Sequence, residues 1–204
     1  MKIVIARRSG HGDESQVLEL RANHPGVDFA SAETVAEQKE HIRDSDAYYG
    51  WPSREVFLAA ERLRWIHCPG TGIDELTRIP ELVESDVIVT NTRGPHAAPM
   101  ADHVIGMMVI LAHRWKELME DQRLHRWDNT KYQGTYVELQ GATMGILALG
   151  DIGTAVARRA NGFDMDIYAI DVNPRPIPEV REVWEPDKLD DLLRIADWFV
   201  VTAP

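Results

Sequence analysis

Gly145-Ile-Leu-Ala-Leu-Gly-Asp-Ile-Gly153, GILALGDIG, is the stretch whose reading decides the fold. It closes a short apolar run of strand type, 143–149, and opens a segment of helical period, 152–162, that starts with Ala155, Val156 and Ala157. A strand that turns on glycines directly into a helix aims the helix's first N–H groups, which have no intrahelical partner, outward at the positive end of its dipole. Such a turn cradles an anion. A dinucleotide diphosphate is expected on Gly150, Asp151, Ile152 and Gly153. The pattern departs from G-x-G-x-x-G at its first glycine, where Ala148 stands. A position that needs φ > 0, or has no room for a Cβ, strains alanine; a β-like position tolerates it.

The next strand is predicted over 166–170 and ends at Asp171, 18 residues beyond Gly153. An acid there accepts hydrogen bonds from a ribose diol and repels a 2'-phosphate, which favours NAD; Arg175 offers a cation to that phosphate and leaves NADP open. The plainer alternative is an Asp that merely starts a loop. A proline-rich loop, NPRPIPE, a helix over 187–196 and a strand over 198–202 follow, completing βαβαβ, one mononucleotide-binding half built on three strands. So small a sheet buries less than a complete domain would and is expected to be marginal unless something else covers it.

Upstream, strands are predicted at 2–6, 27–29, 47–50, 63–68 and 87–90, with helices near 14–23, 34–43 and 53–60 and a loop with a short helix reaching residue 84. Strands alternating with helices imply right-handed crossovers and a parallel, doubly wound sheet. A long helix then starts near Ala97, with Met100, Val104, Met107, Met108, Leu111, Trp115 and Leu118 on one stripe, expected to be core. The polar stretch 121–140 interrupts that pattern and is expected to be a linker. Three segments result: a lobe over 1–96, a helix with its connection over 97–140, and the dinucleotide half over 141–204.

With 44% hydrophobic and 27% charged residues the chain has the composition of a folded soluble protein. A formal charge of -11 and the lack of any basic run argue against a nucleic-acid partner, whose affinity comes from cations set against phosphates. The longest apolar run, 104–112, is far short of the ~20 residues that cross a bilayer, so no membrane span is expected. The N-terminus lacks the long apolar stretch and cleavage site of a signal peptide. The single cysteine, Cys68, reads as a buried thiol in a reducing cytoplasm rather than a nucleophile. No Cys or His spacing supports a metal, and His96, His103 and His113 read first as solvated or helix-capping side chains.

The segment 139–159, LQGATMGILALGDIGTAVARR, resembles the cofactor turn of the D-isomer-specific 2-hydroxyacid dehydrogenases. The motifs CPGTGID, VTNTRG, MADHV and ADWFVVTAP resemble further stretches of that family in the same order, so the resemblance covers the whole chain. It implies a flavodoxin-like N-terminal substrate lobe followed by half of a Rossmann dinucleotide-binding domain, and a reversible hydride transfer between a nicotinamide and a small 2-keto or 2-hydroxy acid. It also implies a cytoplasmic homodimer, formed through the cofactor domain and the helix carrying Met107, Met108 and Leu111, although that face reads equally well as internal core.

By the same resemblance Thr71 and Gly72 hold the substrate carboxylate, and Trp51 lies near the substrate or serves packing. His96, just ahead of the long helix, is a weak active-site candidate, and Thr202, Ala203 and Pro204 pass near the cofactor. The family's catalytic Arg, Glu and His fall beyond Pro204, so none is assigned, and the chain is expected to be an incomplete, inactive piece. Asp102 stands where a Glu is usual, and Asp164 replaces a glycine, in a left-handed geometry that Asp adopts at modest cost. Two other classes compete. One is a non-catalytic dinucleotide-binding or regulatory homologue, of which the family's corepressors are the pattern; the other is a Rossmann half binding S-adenosylmethionine, which leaves CPGTGID unexplained.

Overall fold

A computed structural model describes residues 1–7, 14–128 and 130–203, in two compact units, Met1–Arg93 and Gly94–Pro204. In the first, β1 (Lys2–Ala6), α1 (Glu14–Asn23), β2 (Asp28–Ala32), α2 (Val35–Ile42), β3 (Ala47–Tyr49), α3 (Arg54–Phe57), β4 (Trp65–Cys68), α4 (Asp74–Thr77), α5 (Pro80–Val83) and β5 (Ile88–Asn91) follow one another. All strands are parallel, in the order β2-β1-β3-β4-β5 of a flavodoxin-type sheet. Alternation sends Val4 into a core with Ile42, Tyr48, Val56, Ile66 and Cys68, and Ile5 to the opposite face with Val17 and Phe29. The capping box of Thr34 and Glu37 fixes the start of α2, and the Thr34 and Glu33 amides on its carboxylate hold Glu37 below the usual carboxylate range.

The second unit runs α6 (Ala97–Ala112), α7 (Trp115–Arg123), a 3-10 turn at Thr130–Tyr132, β6 (Thr143–Leu147), α8 (Asp151–Asn161), β7 (Asp166–Ile170), β8 (Glu182–Trp184), a second 3-10 turn at Pro186–Lys188, α9 (Leu189–Ile195) and β9 (Trp198–Val201). Its sheet has four parallel strands in the order β8-β7-β6-β9, one more than the three expected. The added strand is only three residues long and stands next to the proline-rich loop, too short to show a period. The Ala157 and Ala160 face of α8 shares one core with Ala101, Ile105, Met108 and Ala112 of α6, where small side chains allow close helix approach. Asp102 of α6 pairs with Arg159 of α8.

Two expectations are corrected here. The long helix is two helices, broken where Arg114 takes a left-handed φ of 53°, and its methionine stripe is not the core face. Met108 is buried, but Met100, Met107 and Trp115 are exposed and Leu111 is 64% exposed, because α8 meets the alanine side of α6 instead. The polar stretch after residue 120 is not a free linker either. Asp121, the last buried side chain of α7, accepts hydrogen bonds from Tyr132 Oη and from Lys131 Nζ at 2.9 Å. Those bonds hold its carboxyl below the usual range, Tyr132 first.

Among the described residues no helix is long and apolar enough to cross a membrane, and no cluster of His, Cys, Asp or Glu could hold a metal ion. Asp164 adopts φ 55°, the left-handed geometry expected of it.

Candidate functional site

In the second unit the C-terminal ends of β6, β7 and β9 meet at the turn 148–150. Gly150 is the N-cap of α8 and makes no side-chain capping bond, so Asp151, Ile152 and Gly153 form a first helical turn opening past a glycine. A Cβ built on Gly150 would meet nothing within 4 Å, which leaves open room in front of those amides. Gly153 is the opposite case: a Cβ there would lie 2.3 Å from the Ala148 carbonyl oxygen and 2.9 Å from Thr202 Oγ1. One glycine keeps a space open; the other lets helix and strand touch.

Ala148 has φ 74°, so the position is the left-handed one that a glycine would occupy without strain. An L-residue there costs about 1–2 kcal/mol, and glycine's larger unfolded-state entropy returns roughly half of it. Ala148→Gly is therefore expected to stabilise the protein by about 0.5–1 kcal/mol, read as a rise in melting temperature of a few degrees. A fall on that substitution would show that the residue is not left-handed.

Asp171, at the end of β7, accepts the Leu149 N–H at 2.7 Å through Oδ2 and the Asn173 N–H at 2.8 Å through Oδ1. A carboxylate has about four acceptor sites, so capacity remains for a diol. Arg175 lies exposed in the loop that follows, and Ala203 is exposed after β9. Thr202 donates through Oγ1 to the Ala148 carbonyl at 2.6 Å, while Pro204 lies outside the described residues. Amide donors, open space ahead of Gly150 and an acid at the neighbouring strand end fit a dinucleotide's diphosphate and ribose.

In the first unit Trp51, Thr71 and Gly72 come together. Trp51 Nε1 donates to the Gly72 carbonyl at 2.8 Å, and its ring lies 3.0 Å from where a Gly70 Cβ would be. Thr71 donates through Oγ1 to Thr92 O at 3.2 Å, and its carbonyl accepts Asn91 Nδ2 at 2.7 Å. Asn91 and Thr92 were not singled out from sequence, though both lie in VTNTRG; what marks them is contact across the sheet, which a linear motif does not display. His96 is exposed at the start of α6 and makes no side-chain capping bond there.

Cys68, at the end of β4, is fully buried, and burial pushes its thiol up, away from the reactive thiolate. An apolar groove of about 500 Å³ lies between α1 and the sheet, against Tyr49, Trp65 and His67. None of the candidate residues lines it.

Residues 105–204 match the family model described as D-isomer specific 2-hydroxyacid dehydrogenase, NAD binding domain. The chain is 28% identical over 199 residues to a D-3-phosphoglycerate dehydrogenase of Methanocaldococcus jannaschii, covering 95% of this chain and 37% of that protein. It is 32% identical over 171 residues to a glyoxylate reductase of Thermofilum pendens, covering 80% and 50%. A D-isomer specific 2-hydroxyacid dehydrogenase family protein from Aeromonas salmonicida superposes with a TM-score of 0.86 at 22% identity, over 100% of this chain and 64% of that one. The chain thus spans little more than a third of the first curated relative and half of the second.

Proposed function

Because residues 105–204 match the model of the D-isomer specific 2-hydroxyacid dehydrogenase NAD binding domain, we propose that the turn after β6 grips a nicotinamide dinucleotide. In this reading the chain supplies the grip and the substrate dock of an oxidoreductase acting on a small 2-keto or 2-hydroxy acid. The bound nicotinamide supplies the hydride. What this chain's residues do is bind and orient: the α8 amides hold the diphosphate, and Asp171 takes the ribose hydroxyls and disfavours a 2'-phosphate. Thr71 and Gly72, braced by Trp51 and Asn91, offer a glycine-flanked loop to a carboxylate.

The carrying observation is the pairing of an open Gly150 with a Gly153 pressed against the Ala148 carbonyl, in reach of an acid on the adjoining strand. Calorimetric titration with NADH and NADPH tests it. Saturable binding with NADH ahead of NADPH is expected, and no heat from either nucleotide would remove the reading. The exposed Met107 and Leu111 of α6 further support pairing with a second copy. Sedimentation should then give a dimer that Leu111→Glu disperses; a monomeric parent protein would rule the pairing out.

A further inference from the structure

The peptide joining Ala148 to Leu149 is held from two sides. Ala148 occupies a conformation that alanine disfavours, yet its N–H donates to Ile170 O at 2.8 Å, its carbonyl accepts Thr202 Oγ1–H at 2.6 Å, and the following Leu149 N–H donates to Asp171 Oδ2 at 2.7 Å. The three partners come from the ends of β7 and β9, the strands that flank β6. Relaxing Ala148 to a negative φ would swing its carbonyl and the Leu149 N–H together, because rotation about the N–Cα bond carries everything that follows. The same carbonyl is the atom Gly153 packs against, so its direction also sets how closely α8 settles on the strand.

We propose that the Thr202 hydroxyl and the Asp171 carboxylate form a two-point clamp that holds Ala148 left-handed, and that Thr202 is a positioning residue which keeps the turn shaped for the dinucleotide by acting through Ala148. The chain thereby recovers with two hydrogen bonds what a glycine would give without them. This inference rests on the dinucleotide site proposed above. It makes a demand that direct contact between Thr202 and the nucleotide does not: the need for the hydroxyl must vanish when residue 148 is glycine.

The test uses Thr202 rather than Asp171, since Asp171 also faces the ribose. In the full chain, Thr202→Val, Thr202→Ser, Ala148→Gly and the double variant A148G/T202V are titrated with NADH and melted without nucleotide. Thr202→Val is expected to weaken NADH binding about tenfold, as the loss of one partly buried hydrogen bond would. Thr202→Ser, which keeps the hydroxyl, stays within about twofold of the parent, and A148G/T202V within about threefold of Ala148→Gly alone. Equal losses from Thr202→Val in both backgrounds, or no loss in the alanine background, overturn the clamp.

If neither the parent nor Ala148→Gly binds NADH, the proposed dinucleotide site falls, and the melting data still decide the clamp. A Thr202→Val destabilisation that shrinks with glycine at 148 upholds it, and additive shifts refute it. Should Thr202→Val fail to fold, recovery of folding in A148G/T202V upholds the clamp and failure of both refutes it.

Discussion

Gly153→Ala is expected to abolish dinucleotide binding and to destabilise the second unit by about 2–3 kcal/mol. The sign is the informative part. Gly153 lies in the first turn of α8, where its backbone is helical, and in a helix with free space alanine is better than glycine by about 1 kcal/mol. Here the new methyl would stand 2.3 Å from the Ala148 oxygen and 3.3 Å from its carbon. Those are backbone atoms, already fixed by Thr202 and by the Leu149 amide on Asp171, so they cannot turn aside as the end of a flexible side chain would. Either the helix lifts from the strand or the turn reverses. Both displace the amides that face Gly150.

Denaturation followed by circular dichroism, alongside an NADH titration, reads both effects. Gly150→Ala is the natural contrast, since its Cβ meets nothing and stability should hold while the methyl intrudes on the space left for the diphosphate. A Gly153→Ala protein that is as stable as the parent, or more so, would mean that helix and strand are not in contact.

Much of this turn was legible in the sequence because it is local: a strand of five residues, a two-residue link, the capping Gly150 and a helix that carries Gly153 and its alanines lie within one short stretch. What was not legible is what the chain does across distance. Asp171 could be proposed for the ribose by counting residues, but its bond to the Leu149 N–H depends on β6 and β7 lying side by side. The strain at Ala148 could be framed only as a condition, since φ is not written in residue identity; the value of 74° resolves it.

The methionine stripe misled for a related reason. Period shows that an apolar face exists and not which neighbour arrives, and the neighbour is the alanine side of α8, which suits Ala101 and Ala112 rather than Met107 and Leu111. Nothing in HRW marks the break at Arg114, where neither glycine nor proline stands. Asp121 and Tyr132 look like linker polarity until folding brings them into one hydrogen bond.

Gly50→Ala should produce the comparable lesion in the first unit, a loss of about 3 kcal/mol. Gly50 follows β3 with φ 133°, a region L-residues hardly enter, and an added Cβ would lie 3.0 Å from Ala6 Cβ and 3.3 Å from Tyr48 Cε1. Its N–H donates to His67 O at 2.9 Å, and its carbonyl faces Cys68 Sγ at 3.6 Å, so the residue is tied to β4 on both sides. Trp51 comes next in the chain. A shift at Gly50 moves the indole off the Gly72 carbonyl and uncovers Gly70, loosening the Thr71–Gly72 loop proposed to dock the carboxylate.

The expected result of that substitution is a lowered melting temperature together with new protease cuts within residues 1–93, mapped by mass spectrometry. Gly26→Ala serves as the control, because nothing lies within 4 Å of its Cβ and its φ is not left-handed. If the two alanine variants melt together, the constraint at Gly50 is not real and Trp51 is positioned by something other than the bend before it. If Gly50→Ala alone falls, the backbone geometry at the end of β3 is what sets the loop.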